Sequence, residues 1–170
     1  MKTGILYSGI PSEEELAACP GIPSRERAGR GRTAVIECVQ CIPCNPCVTA
    51  CPFHAISMPG GITGLPVLDE DRCTGCGRCV GVCPGLAITL VDAHELEFVT
   101  VDFPYEYYPF PEKGQEVEAV GRDGRTLCAA EVLQVVQPDK EDGTRVVRVR
   151  VPSEFVWQVK SIRRLKRAEV

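Results

Sequence analysis

Apolar and polar residues alternate along the last third of the chain. Val147, Val149 and Val151 are separated by Arg148 and Arg150, and Phe155, Trp157 and Val159 by Val156, Gln158 and, beyond them, Lys160. A two-residue period places successive side chains on opposite faces of an extended strand, so both segments are expected to be strands. Glu116 to Val120 and the longer apolar run Leu127 to Val136 supply two more. Asp123-Gly124 and Asp142-Gly143 mark turns, the first with the chemistry of a tight hairpin. Four strands with short links predict a small antiparallel β-barrel of the SH3-like or OB-like kind, closed by a further strand over 96–103.

The first 32 residues follow no such period. Pro11, Pro20 and Pro23, with Gly21, Gly29 and Gly31, interrupt any long element. Ser12 followed by Glu13, Glu14 and Glu15 predicts one short helix with acids in its first turn. Arg25, Arg27, Arg30 and Arg32 then form a basic cluster, expected to be a solvated loop. Thr33 to Glu37 reads as a strand. Six of the ten aromatic residues fall between Phe98 and Phe110, where Pro104, Pro109 and Pro111 are expected to break extended chain. These rings are expected to cover the core of the barrel, and Cys128 to point into it.

Between these ends one cysteine pattern is written twice. Cys41, Cys44, Cys47 and Cys51 precede Pro52, and Cys73, Cys76, Cys79 and Cys83 precede Pro84, each as C-x2-C-x2-C-x3-C-P. Ala55-Ile56 and Ala87-Ile88 continue the repeat, whose period is about 32 residues. Zinc is the first alternative, but structural zinc usually takes paired cysteines with a longer gap between the pairs. Disulfides are the second, and an intracellular chain holds few of them. Over residues 33 to 92 the chain resembles the bacterial-type 2[4Fe-4S] ferredoxin family.

That resemblance implies two [4Fe-4S] clusters, with the last cysteine of each run serving the other cluster. Cys41, Cys44, Cys47 and Cys83 would hold cluster I, and Cys73, Cys76, Cys79 and Cys51 cluster II. A register shifted to use Cys38 needs a cysteine at 48, where Val48 stands, so Cys38 would be a free thiol near cluster I, with a substitute ligand as the alternative. Arg78 would place a positive charge beside cluster II. His54 and His94 are expected to be surface or packing residues. No Ser/His/Asp or histidine metal motif points to catalysis.

Composition adds limits. The net charge of -4 disfavours nucleic acid as the main partner. No run approaches the ~20 apolar residues of a membrane helix. Eleven cysteines and no apolar leader suggest a cytoplasmic protein. The expected fold class is α+β: an extension over 1–32, a two-cluster ferredoxin-type domain over 33–95, a small β-barrel over 96–162 and a basic tail over 163–170. The overall layout resembles the iron-sulfur subunits of flavin-dependent amine or imino-acid dehydrogenases, those acting on proline or hydroxyproline among them. The expected function is therefore a non-catalytic, electron-transfer subunit of an oxidoreductase complex, with a flavoprotein partner. The alternatives are a freestanding ferredoxin shuttle and a redox-sensing binding module.

Overall fold

The computed structural model describes residues 3–95, 97–138 and 143–166. Its main feature is a seven-stranded antiparallel sheet of order β1-β4-β5-β8-β7-β6-β9. The strands are β1 (Thr33–Ile36), β4 (Ile88–Asp92), β5 (Phe98–Tyr105), β6 (Glu116–Val120), β7 (Thr126–Val136), β8 (Arg145–Pro152) and β9 (Ser161–Ile162). A separate pair, β2 (Ile56–Ser57) and β3 (Val67–Leu68), lies between the cysteine runs. Among the described residues there are five short α-helices: α1 (Ile5–Ser8), α2 (Glu13–Ala17), α3 (Arg25–Gly29), α4 (Pro46–Ala50) and α5 (Arg78–Gly81).

The alternation of β8 places Val147, Val149 and Val151 in a core with Val99, Val101, Phe103 and Tyr105 of β5 and Val132 of β7. Strands β1 and β4 are buried on both faces, which is why they read as apolar runs. Val35 and Val91 join that first core. Ala34, Ile36, Ile88 and Leu90 turn the other way and meet Ile56, Val80, Cys47 and Cys79 in a second core. The sheet is thus the wall on which the cysteine region packs.

Two expectations about architecture are corrected. The fold is a mixed α+β arrangement dominated by one open sheet, and no barrel closes: the order ends at β1 and β9, which do not pair. The strand over 98–105 does not seal a barrel, because it lies inside the sheet between β4 and β8. Nor does a ferredoxin-type cluster fold stand apart from it, since β1 and β4 belong to the same sheet as the C-terminal strands.

Smaller differences have local causes. Pro104 does not break β5: β4 pairs only with Thr100 to Asp102, so Pro104 stands where the strand has a free edge on that side. Residues 155–159 are not a strand. A 3-10 turn covers Ser153–Phe155, and the Val156, Gln158 and Val159 amides bond locally to Ser153 and Phe155. Val156 and Val159, three apart, share a buried face. The extension holds three short helices, not one, although the Ser12 start is present as a capping box: Ser12 Oγ accepts from the Glu15 amide, and the Glu15 carboxylate accepts from the Ser12 amide. The Asp142 turn residue and the expected strand position Leu96 lie outside the described residues.

The basic cluster is not a plain solvated loop. Arg27 donates to the carbonyls of Glu70, Gly31, Arg32 and Cys73, and Arg32 donates to buried Asp102 at 2.6 Å. In the tail, Arg163 donates to Thr126 at 2.6 Å, and Arg164 lies over the Tyr107 ring at 5.5 Å. The aromatic stretch divides, with Phe103 and Tyr105 buried and Phe98, Tyr107 and Tyr108 exposed.

Candidate functional site

The two cysteine runs fold alike. Pro46 opens α4 after Asn45, and Arg78 opens α5 after Gly77, whose φ of 85° places it in the left-handed region. These helices carry Cys47 and Cys79, the buried thiols of each run, and they pack on one another. At the end of each run the chain turns through a left-handed residue, His54 (φ 50°) or Leu86 (φ 51°). The turn brings the Ala55 amide to Cys51 Sγ at 3.3 Å, and the Ala87 amide to Cys83 Sγ at 3.4 Å. His54 therefore occupies a backbone position that the second run fills with leucine.

The loop before α5 is held tightly against β1. A Cβ on Gly75, where φ is 65°, would lie 2.5 Å from the Arg32 carbonyl oxygen. The Ala34 amide donates to Cys73 Sγ at 3.5 Å. Glycine is required here for both its φ and its size.

The thiols sort between the runs. Burial pushes the Cys79 thiol up to about 12, and the neighbouring Cys73, Cys76 and Cys51 add to the shift. Burial also raises Cys47, with Cys83, Cys44 and Cys38 adding to it. Cys51 of the first run is thus among the electrostatic neighbours of Cys79, and Cys83 of the second among those of Cys47.

Other cysteines are placed as follows. Cys38 belongs to the neighbourhood of Cys83 and Cys44, and its own thiol is raised by burial and by those neighbours. Cys41 and Cys76 are exposed. Cys19 is buried and donates to the carbonyls of Ile36 at 3.2 Å and Cys38 at 3.5 Å. Cys128 is half-buried against the first core.

Grouping is not coordination. Among the described residues, no group of three or more His, Cys, Asp or Glu side chains is placed to hold a metal ion. On this finding the expectation of two [4Fe-4S] clusters is withdrawn. With it go the reading of the chain as an iron-sulfur ferredoxin, the single-electron relay, the freestanding shuttle and the electron-transfer subunit of a dehydrogenase. Burial of Cys47 and Cys79 instead favours their protonated, neutral form.

Residues that the sequence reading passed over gather beside the second run. Asp102, only 3 % exposed, accepts from Arg148 Nε at 2.9 Å and Arg148 Nη2 at 3.0 Å, and from Arg32 Nη2 at 2.6 Å. Strand alternation already placed Arg148 opposite the valine face. What the sequence lacked was any sign that Asp102, Arg148 and Arg32 meet.

No helix among the described residues is long and apolar enough to cross a membrane. Two family models match parts of the chain, both described as a 4Fe-4S dicluster domain, over residues 40–87 and 65–132. Each covers less than half of it. Comparison with curated proteins and with solved structures returns no match. Sequence likeness and donor geometry therefore part company: over those residues the chain is similar to 4Fe-4S dicluster domains, on a fold that is one open antiparallel sheet.

Proposed function

We propose that the functional residues are the eight cysteines of the two runs, divided as Cys41, Cys44, Cys47 and Cys83 and as Cys73, Cys76, Cys79 and Cys51, and that they serve a redox protein partner. The observation that carries this reading is the surface around them. Ile42, Phe53, Val82 and Leu86, all in or flanking the cysteine loops, are exposed. Ile42 and Leu86 line a cleft with Cys38, Phe53 lies with Cys73, Cys76 and Cys79, and exposed apolar side chains at such places mark interaction sites. They lie beside the thiols, and Cys41 and Cys76 put one exposed thiol of each run at the surface. A flavoprotein is the partner class we favour, within a hetero-oligomer, and the acidic balance of the chain speaks against nucleic acid.

The test is anaerobic purification of the tagged chain from its native host, beside a Phe53→Ser, Leu86→Ser variant. A redox protein that co-elutes at fixed ratio with the wild type, and is lost from the variant, supports the reading. Elution of the wild type alone at low salt would overturn it. Iron, zinc and acid-labile sulfide are assayed on the same fractions. Stoichiometric iron and sulfide on these cysteines would restore the cluster expectation withdrawn above.

A further inference from the structure

A cleft of about 390 Å³ opens beside the second cysteine run, lined by Arg32, Arg78, Arg148, Asp102 and exposed Cys76. Among the described residues that line it, three guanidiniums face one carboxylate. Asp102 is fully engaged by Arg32 and Arg148, which share its two oxygens. That leaves charge to spare. Arg32 Nε is buried without a hydrogen-bond partner, and Arg78 forms no ion pair among the described residues.

The geometry points to a phosphate-binding cleft that takes a small phosphorylated molecule. The excess of two positive charges matches a phosphate dianion, and guanidiniums present forked N–H donors suited to its oxygens. Asp102 occupies the Nε–Nη2 fork of Arg148 and Nη2 of Arg32, so both guanidiniums are fixed before any ligand arrives and their remaining N–H groups and the Arg78 fork are left for it. The volume lies in the range of small-molecule sites. Cys76 on the wall would bring the rest of such a molecule to the second cysteine run. This inference does not rest on a redox partner and stands or falls separately.

Arg78 is the residue to change, because it is exposed and holds no structural partner, whereas removing Arg148 would leave buried Asp102 with Arg32 alone. Inorganic phosphate and ADP are titrated calorimetrically into the full chain at low salt, with R78A and, as a control, R125A, which is remote and exposed. Saturable binding that R78A weakens roughly tenfold, about 1.4 kcal/mol, and R125A leaves unchanged is the expected result. Tighter binding of ADP than of phosphate would identify a phosphorylated molecule as the source. Equal affinities would identify free phosphate in the same cleft. Absence of saturable binding by either probe, or equal losses in R78A and R125A, would overturn the proposal.

Discussion

Lys160 Nζ stands 2.7 Å from Glu37 Oε1, joining the end of the first strand to a residue just before the last. Both side chains are nearly excluded from water, and Arg122 Nε donates to the other carboxylate oxygen at 2.7 Å. The carboxylate thus clasps the C-terminal segment to the strand that leads into the first cysteine loop. Removing one member of a buried ionic group leaves the others uncompensated. Glu37→Ala is expected to cost about 3–5 kcal/mol, since two cations would remain buried without their counter-ion. Urea denaturation measures this, and an unchanged midpoint would contradict the role given to Glu37.

The same carboxylate makes stability depend on pH. Burial would raise Glu37, but the Arg122 hydrogen bond and the Lys160 charge outweigh it and hold the group below its ordinary value of 4.5. A carboxyl depressed in the folded state binds fewer protons there than in the unfolded chain. Its stabilisation is full above the unfolded value and is lost as pH falls through the folded one. Thermal melts recorded downward from pH 4.5 should show a steeper loss for wild type than for Glu37→Gln. Parallel curves would count against the assignment.

Gly75 and Gly124 share a left-handed backbone but differ in surroundings. A Cβ at Gly75 would strike the Arg32 carbonyl, whereas at Gly124 it would meet nothing within 4 Å. Gly124→Ala is expected to cost only the conformational penalty of about 1–2 kcal/mol. Gly75→Ala should cost clearly more and should alter the reactivity of the Cys76 thiol, because the loop must move. Equal destabilisation of the two variants would show that the loop is not held against the first strand.

Much of this was legible in the chain, and the exceptions share a cause. The Val147-Val149-Val151 alternation, the Asp123-Gly124 hairpin and the Ser12 cap are local patterns, and each appears in the fold. Sheet continuity was not legible. Pairing of Val91 with Val101, and of Ala119 with Ile162, links segments whose own periodicity fits a small barrel equally well. Phe155 to Val159 misled because alternate and every-third spacing overlap in so short a run. The Glu37–Lys160 and Arg32–Asp102 pairs are long-range contacts between residues that look like ordinary surface charges.

The division of the eight cysteines is tested most directly by finding where Cys51 and Cys83 stand. The reduced protein is treated anaerobically with a short bifunctional thiol reagent, digested, and its cross-links read by mass spectrometry. Links from Cys83 to Cys47 or Cys44, and from Cys51 to Cys79 or Cys73, are the expected result. Links confined to each run, with none joining Cys51 to the second or Cys83 to the first, would contradict the account.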